Sequence, residues 1–235
     1  MDPAHESIER GLIALGVAPV PAMVALLAQH LELVIEANRV MSLTSIDPAD
    51  AVALHILDSV AALPFLTKAP DGSFADLGSG PGYPGIPLSV LSGRPVALVE
   101  SVRKKAAFLE RVVADLRLKA TVHSIRAEEL AQEHDTSFAA VTARALSSLP
   151  CLVELAAPLL ALDGLLVCLK GRRDEEEIRR GDAAARLCGL VLEEATAVTV
   201  PGVVAARTII TYRRVRAPSL DLPRRTGLAQ RKPLA

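Results

Sequence analysis

The apolar positions divide the chain into a helical beginning and a long alternating region. In residues 5–16 and 21–40 apolar side chains recur every three to four positions, which predicts two amphipathic helices. Asp47 followed by Pro48 has the residue types of a helix N-terminus, so a third helix is predicted from there to about Leu63. The chain is therefore expected to open with a helical extension.

From residue 73 onward, short apolar runs alternate with amphipathic stretches. Strands are predicted at 73–77, 95–100, 120–125, 138–143 and 164–170. Helices are predicted near 84–92, 102–117, 127–133, 148–161 and 174–188. Two β-rich segments follow, 190–200 and 205–215, joined by a turn around Pro201 and Gly202. This alternation predicts an α/β fold with a doubly wound, mostly parallel sheet, and a closing antiparallel hairpin.

Charge and composition refine this division. We expect a helical extension at 1–70, an α/β domain at 71–216 and a basic tail at 217–235. Residues 1–75 carry nine acidic and three basic side chains. Residues 213–232 carry seven basic side chains and one acidic one, which favours either a grip on phosphate backbones or a solvated terminus.

No apolar run approaches the ~18 residues that a membrane span needs. The three cysteines, Cys151, Cys168 and Cys188, show no CxxC spacing, so we expect neither disulfides nor zinc. His55 and Asp58 could begin a metal site, but no second cluster completes one. We expect a cytoplasmic monomer without a metal.

A cluster of glycines is the most distinctive segment of the chain. A predicted strand ends at Asp76, and four glycines follow within eight positions: Gly78, Gly80, Gly82 and Gly85. Glycine tolerates positive φ and lets a ligand approach the backbone, so such a cluster indicates a ligand-binding turn. The next predicted strand ends in Glu100, whose carboxylate is positioned to bind ribose hydroxyls. The sequence therefore predicts a nucleoside-bearing cofactor.

Two cofactor classes fit this turn. Its second half matches the GxGxxG pattern of dinucleotide folds, which makes an NAD(P)-dependent oxidoreductase the first alternative. However, Pro81 and Pro84 remove two N–H donors that a pyrophosphate would use. S-adenosylmethionine has no phosphate, and its cationic amino-acid end suits a carboxylate such as that of Asp76. Five strand–helix units followed by a hairpin also favour this methyl donor.

Several motifs occur in a specific order. The most specific segments are 55–59 and 76–87, and further ones are 100–109, 126–128, 143–145 and 169–171. Over nearly the whole chain this set resembles the bacterial small-subunit rRNA guanine-N7 methyltransferases, the RsmG or GidB family. The chain departs from that family at Ser42, where members usually have asparagine, and at Tyr83, where they often have a smaller or aliphatic residue.

The resemblance implies a class I S-adenosylmethionine-dependent methyltransferase of Rossmann-like fold that acts on 16S rRNA, in the small ribosomal subunit or its precursor. Together with the glycine turn, it gives an expected cofactor-binding set of Asp76, Gly78, Gly80, Gly82, Tyr83, Glu100, Ser101, Ala127, Glu128 and Arg144. The substrate-positioning candidates are His55, Asp58, Ser59 and Arg144. The RNA-binding candidates are Lys104, Lys105, Arg213, Arg214, Arg216, Arg224, Arg225, Arg231 and Lys232.

Methylation of guanine N7 needs no general base, because N7 carries an unprotonated lone pair. We therefore expect no nucleophile and no acid–base catalyst. Cys151 follows Pro150, as the nucleophile does in cytosine-C5 methyltransferases, but no histidine or lysine adjoins it and core packing is favoured. Tyr83 is the first candidate for base stacking. A non-catalytic RNA-binding or ribosome-assembly protein of the same fold is the second alternative.

Overall fold

The computed structural model describes residues 3–133 and 137–235. Helices α1 (Pro3–Ala14) and α2 (Pro21–Met41) lie close to their predicted positions. Helix α2 begins with proline in its first turn, where the missing N–H costs no hydrogen bond. It ends at Ser42, which has the left-handed φ of 47°. Glycine and asparagine favour this conformation, and asparagine is the residue that the resembled family usually has there.

The prediction of one regular third helix was wrong. Asp47 does act as an N-cap, accepting a hydrogen bond from the N–H of Ala49 at 2.9 Å. The segment then runs through a 3₁₀ turn (Pro48–Asp50), a π-helix (Val52–Leu57) and the short helices α3 (Asp58–Val60) and α4 (Leu63–Leu66). A π-helix is wider than an α-helix and is frequent at functional sites, and apolar periodicity does not distinguish the two over six residues.

The remaining elements confirm the predicted alternation. The strands are β1 (Phe74–Leu77), β2 (Val96–Val99), β3 (Ala120–His123), β4 (Phe138–Arg144), β5 (Leu160–Lys170), β6 (Leu190–Val198) and β7 (Arg207–Arg214). The helices are α5 (Gly85–Ser92), α6 (Arg103–Asp115), α7 (Ala127–Glu133), α8 (Leu149–Ala156), α9 (Glu175–Cys188) and α10 (Leu228–Arg231).

The seven strands form one sheet in the order β3-β2-β1-β4-β5-β7-β6. The first five strands are parallel, and β7 pairs antiparallel with both β5 and β6. The predicted antiparallel hairpin is therefore present, with its second strand inside the sheet. Crossover connections place the carboxyl ends of the five parallel strands at one edge, where open α/β sheets bind ligands.

Each face of the sheet packs against its own hydrophobic cluster. On one face, α1, α2, the π-helix, α5 and α6 pack on residues such as Phe74, Leu98 and Val167. On the other face, α7, α8, α9 and Ala229 of α10 pack on residues such as Leu77 and Leu166. The helical extension thus shares a core with the sheet, and this packing holds the π-helix beside the ligand-binding edge.

Candidate active site

A cleft of about 590 Å³ opens at the carboxyl edge of the sheet. Its floor is the glycine turn after β1, and its walls are the ends of β4 and β5, the start of β7, the π-helix and the loop after α2. The lining residues are Thr44, Ser45, Ile46, Leu54, His55, Asp58, Gly78, Ser79, Gly80, Pro81, Tyr83, Arg144, Ala145, Leu169, Lys170, Gly171 and Arg207. The predicted residues His55, Asp58 and Arg144 are thereby brought together.

Backbone N–H groups of the glycine turn are committed to the protein itself. Those of Gly78 and Ser79 donate to Val99 O, and that of Gly82 donates to Ser79 O. Two more N–H groups donate to carboxylates, Gly80 to Glu100 and Gly85 to Asp76. Few donors are left for a phosphate, so the turn is a close backbone surface rather than an anion cradle.

Gly80 shows where this surface faces a ligand. It has the positive φ of 54°, and a Cβ built on it would meet only Gly78 O at 3.9 Å, which leaves open space above the turn. Gly82 has another role, because a Cβ there would lie 2.5 Å from the side chain of Ile86. It is a packing position beneath the turn.

Asp76 and Glu100 lie behind the cleft and do not line it. Asp76 is fully buried, and its carboxylate accepts hydrogen bonds from the Thr142 hydroxyl at 2.7 Å and the Gly85 N–H at 3.1 Å. Burial raises its pKa to about 6. The carboxylate of Glu100 accepts from Gly80 at 3.0 Å and Val102 at 2.8 Å. Both carboxylates brace the turn, and the direct ligand contact expected of each stays a prediction.

Asp58 joins two arginines at the wall of the cleft. Its carboxylate accepts from Arg144 Nη1 at 2.9 Å and from Arg207 Nε at 2.5 Å, and Arg144 also donates to Leu54 O at 2.9 Å. The Asp58 side chain is 8% exposed. Two guanidinium groups against one carboxylate leave an uncompensated positive charge, which suits an anionic ligand group.

A stack of rings supports the glycine turn from below. Tyr83 lies parallel to His55, with ring centroids 4.4 Å apart, and 4.6 Å from His30. His30 Nε2 contacts Pro81 O at 2.8 Å. Burial lowers the pKa of His30 to about 4 and, aided by the charge of Arg144, that of His55 to about 3, so both rings are neutral at pH 7. Tyr83 is 3% exposed and already stacked, which is contrary to its predicted role as a base-stacking platform.

A second, smaller cavity of about 40 Å³ lies on the other side of the turn. Gly78 borders both cavities. The smaller one is lined by the predicted residues Ser101, Ala127 and Glu128, together with Arg126, Leu146 and Gln230. Seven members of the expected cofactor-binding set line a cavity: Gly80, Tyr83 and Arg144 line the cleft, Ser101, Ala127 and Glu128 line the smaller cavity, and Gly78 lines both.

Other predicted residues lie outside the two cavities. Ser59 is fully buried, and its hydroxyl donates to His55 O at 2.5 Å, so it serves its own helix and not a substrate. Lys104 and Lys105 lie in the first turn of α6, beside the same sheet edge. Cys151 is fully buried, as expected for a core residue, and burial raises the pKa of its thiol.

The basic tail does not form one RNA-facing surface. Arg213 pairs with Glu193, Arg214 donates to Leu160 O, and Arg216 donates to Arg186 O, all at the sheet edge opposite the cleft. Arg224 pairs with the buried Glu154. Of the tail candidates, the exposed ones beyond residue 217 are Arg225, Arg231 and Lys232.

His30, Arg207 and Lys170 are among the residues of the site that were not predicted from the sequence. His30 occurs in a regular amphipathic helix, and its sequence neighbours give no sign of the turn it supports. Arg207 opens the last strand, 149 residues after its partner Asp58. Lys170 belongs to the motif at 169–171, and this motif could have identified it as a residue of the site. Its Nζ donates to Glu177 at 2.7 Å and to Ser147 O at 3.2 Å.

The described residues hold neither a metal centre nor a membrane span. Within 3–133 and 137–235, no group of three or more His, Cys, Asp and Glu side chains is arranged to hold a metal ion. No helix in the described part of the chain is long and apolar enough to span a bilayer.

Comparison with known proteins identifies both sequence relatives and the fold. The family model described as rRNA small subunit methyltransferase G matches residues 23–207. The ribosomal RNA small subunit methyltransferase G of Sorangium cellulosum is 41% identical over 180 residues, 74% of each chain. The protein of that name from Pelotomaculum thermopropionicum is 33% identical over 236 residues, 97% of this chain and 98% of the relative.

Among solved structures, magnesium protoporphyrin IX methyltransferase from Synechocystis with bound SAM matches with a TM-score of 0.56 at 12% identity. The match covers 79% of this chain and 97% of that one. A likeness at this identity shows the fold, and the fold is the predicted class I methyltransferase architecture.

Proposed function

The chain belongs to the rRNA small subunit methyltransferase G family, and from that premise we propose that it transfers the methyl group of S-adenosylmethionine to N7 of a guanine in 16S rRNA. The observation that carries this proposal is the division of the site at Gly78. One cavity there is lined by the predicted nucleoside-binding residues, and the other is a large, positively charged cleft.

The residues present fit S-adenosylmethionine. The open backbone at Gly80 allows close approach, and Arg144 and Arg207 offer positive charge toward a carboxylate or a phosphate. Ser101, Ala127 and Glu128 would hold the nucleoside end. When bound, the cofactor supplies an electrophilic methyl group on a sulfonium sulfur.

The cleft has the chemistry expected for attack by N7. Asp58 is the carboxylate among its lining residues, and both of its oxygens are bound by arginines. His55 is neutral and stacked, and the cysteines are buried. Since N7 needs no deprotonation, these residues contribute by orienting the base and its phosphate and by excluding water.

An oxidoreductase is disfavoured by the same turn. A dinucleotide pyrophosphate requires free N–H donors at a strand–helix junction. Here the N–H groups of Gly78, Gly80 and Gly82 are bound within the protein, and Pro81 and Pro84 have none.

The test is methyl transfer in vitro. The protein is incubated with labelled S-adenosylmethionine and small ribosomal subunits that lack the modification, and N7-methylguanine is mapped by borohydride and aniline cleavage. We expect one labelled guanine in 16S rRNA. We also expect that ligand at about 100 times its Kd raises the free energy of unfolding by about 2.7 kcal/mol, and that NADH does not.

Arg144→Ala is the informative variant, and Arg10→Ala, on the exposed side of α1, is its matched control. Transfer should be lost in Arg144→Ala and retained in the control. Binding of rRNA without any methyl transfer by the unmodified protein would instead support a non-catalytic assembly role.

A further inference from the structure

Residues 217–235 form a strap that crosses the face of the molecule opposite the N-terminal helices. The strap begins at the sheet edge away from the cleft, where the Ser219 N–H donates to Leu187 O at 2.8 Å. Near its end, Arg180 of α9 donates to the carbonyl of Ala235 at 2.8 Å. Ala229, within α10, is 2% exposed. The strap is therefore a packed part of the fold and not a solvated terminus.

A buried ion pair fastens the middle of the strap to α8. Arg224 donates to both carboxylate oxygens of Glu154, at 2.6 and 2.5 Å. The Glu154 side chain is 3% exposed, so removal of Arg224 would leave a buried carboxylate without its charge partner. Arg224 also donates to Lys232 O at 2.8 Å, which closes the strap on itself. The ion pair sets the position at which the strap leaves α8.

From that anchor the strap reaches the smaller cavity. The Gly227 N–H donates to the Glu128 carboxylate at 2.7 Å, and Glu128 is 6% exposed. Gln230 lies in the wall of the cavity, together with Ser101 and Ala127. The inner walls come from the ends of the parallel strands, whereas the strap covers the cavity from outside.

The smaller cavity is narrow as it stands. Its volume of about 40 Å³ is less than a tenth of the 590 Å³ of the cleft, so we expect one of its walls to move outward when a nucleoside binds. The sheet and α8 are built into the core, whereas α10 is a four-residue helix held at this point by the Gly227–Glu128 hydrogen bond. Of the walls of this cavity, the strap is therefore the one that can move outward for a ligand with the loss of the fewest packing contacts.

We propose that the strap is the movable outer wall of the adenine pocket, and that Gln230 is the residue that selects adenine there. This inference rests on the function proposed above. A side-chain amide offers one acceptor and two donors, which complement the N6 donor and the adjacent ring-nitrogen acceptor of adenine. Hypoxanthine has a carbonyl in place of the N6 amine, so it cannot satisfy the same pairing.

Calorimetric binding of two ligands tests the selectivity. Unmodified protein should bind S-adenosylhomocysteine at least about tenfold more tightly than S-inosylhomocysteine. Gln230→Ala should lose about tenfold in affinity for the adenosine ligand and less than twofold for the inosine ligand. Asp221→Asn, at an exposed position on the same strap, should bind both ligands normally. Equal losses for both ligands in Gln230→Ala, or no loss, would overturn the assignment.

Hydrogen exchange of the unmodified protein tests the movement. Saturating S-adenosylhomocysteine should slow amide exchange in residues 227–231, because the strap, once it has moved outward to admit the ligand, is held in place by its contact with that ligand. Unchanged exchange there would rule out the strap as a wall of the pocket.

If Gln230→Ala shows the predicted loss of selectivity but 16S rRNA is not methylated, the proposed function alone fails. If rRNA is methylated and Gln230→Ala binds both ligands normally, the inference about the strap alone fails.

Discussion

Asp58 connects three separate parts of the chain around the cleft. It lies at the start of α3, directly after the π-helix, and its partners come from the end of β4 and the start of β7. The side chains of Arg144 and Arg207 are 15% and 22% exposed, so neither is fully hydrated. Removing the carboxylate would leave two poorly solvated cations facing each other.

We therefore predict that Asp58→Asn lowers the free energy of unfolding by about 3 kcal/mol, measured by urea denaturation without ligand. Asp71→Asn is the matched control, because Asp71 is fully exposed and lies as far as 3.9 Å from Arg94. It should change stability by less than about 0.5 kcal/mol. A loss below about 1 kcal/mol in Asp58→Asn would show that water replaces the carboxylate.

For individual residues, the sequence predicted which side chains lie near the ligand-binding edge, but it did not predict which atoms those side chains contact. Acidic residues at strand ends were correctly placed at the ligand-binding edge, yet Asp76 and Glu100 turn their carboxylates to backbone N–H groups of the protein. Which atoms an acid contacts depends on loop geometry that residue spacing does not encode. His30 was missed for the same reason, since its contact with Pro81 spans 51 residues.

Among the elements, the strap differs most from its prediction. Seven basic side chains in 213–232 suggested either a grip on phosphate backbones or a solvated terminus, but four of them are bound to other parts of the protein. The partner of Arg224 lies 70 residues away, so local charge could not reveal the buried pair. Strands and helices, in contrast, follow from local apolar periodicity, which explains why most were predicted near their observed bounds.

Exposed cations of the strap should contribute to RNA binding. We predict that combined replacement of Arg225, Arg231 and Lys232 by alanine flattens the salt dependence of 16S rRNA binding. For every phosphate that the variant no longer neutralises, the log–log slope should fall by roughly 0.7–0.9. Affinity is measured by filter binding across a range of salt concentrations.

Arg216→Ala serves as the control, because Arg216 lies at the opposite sheet edge and donates to Arg186 O. It should leave the slope unchanged. If the control and the triple variant changed the slope equally, RNA binding would depend on the net charge of the protein and not on a defined surface.

For the whole molecule, two buried neutral histidines make stability depend on pH. The pKa of His30 is about 4 and that of His55 about 3, against 6.5 when unperturbed. Between pH 4 and 6.5 the unfolded chain therefore binds protons that the folded protein does not. The free energy of unfolding therefore decreases as the pH is lowered through this range. Asp76 acts in the opposite direction, because its pKa is raised from 3.8 to about 6 and its contribution is lost as pH rises. With two histidines against one carboxyl group, acid destabilises the fold.

We predict that His30→Gln removes about 1.4 kcal/mol per pH unit from this dependence between about pH 4 and 6.5. Glutamine retains a donor for Pro81 O, so the variant should still fold. Urea unfolding at a series of pH values measures the slope. Gln29→Ala, at an exposed position of the same helix, should keep the slope of the unmodified protein, and a His30→Gln slope that matches this control would contradict the prediction.

The place of β7 in the sheet determines when the molecule can be completed during synthesis. β7 is the last strand in the chain, yet it lies between β5 and β6. Until residues 207–214 have left the ribosome, β5 and β6 each lack the neighbour that β7 provides, a state prone to misassociation. The same residues bring Arg207 to Asp58, and the strap follows them. The sheet and the cleft therefore remain incomplete until β7 has emerged from the ribosome.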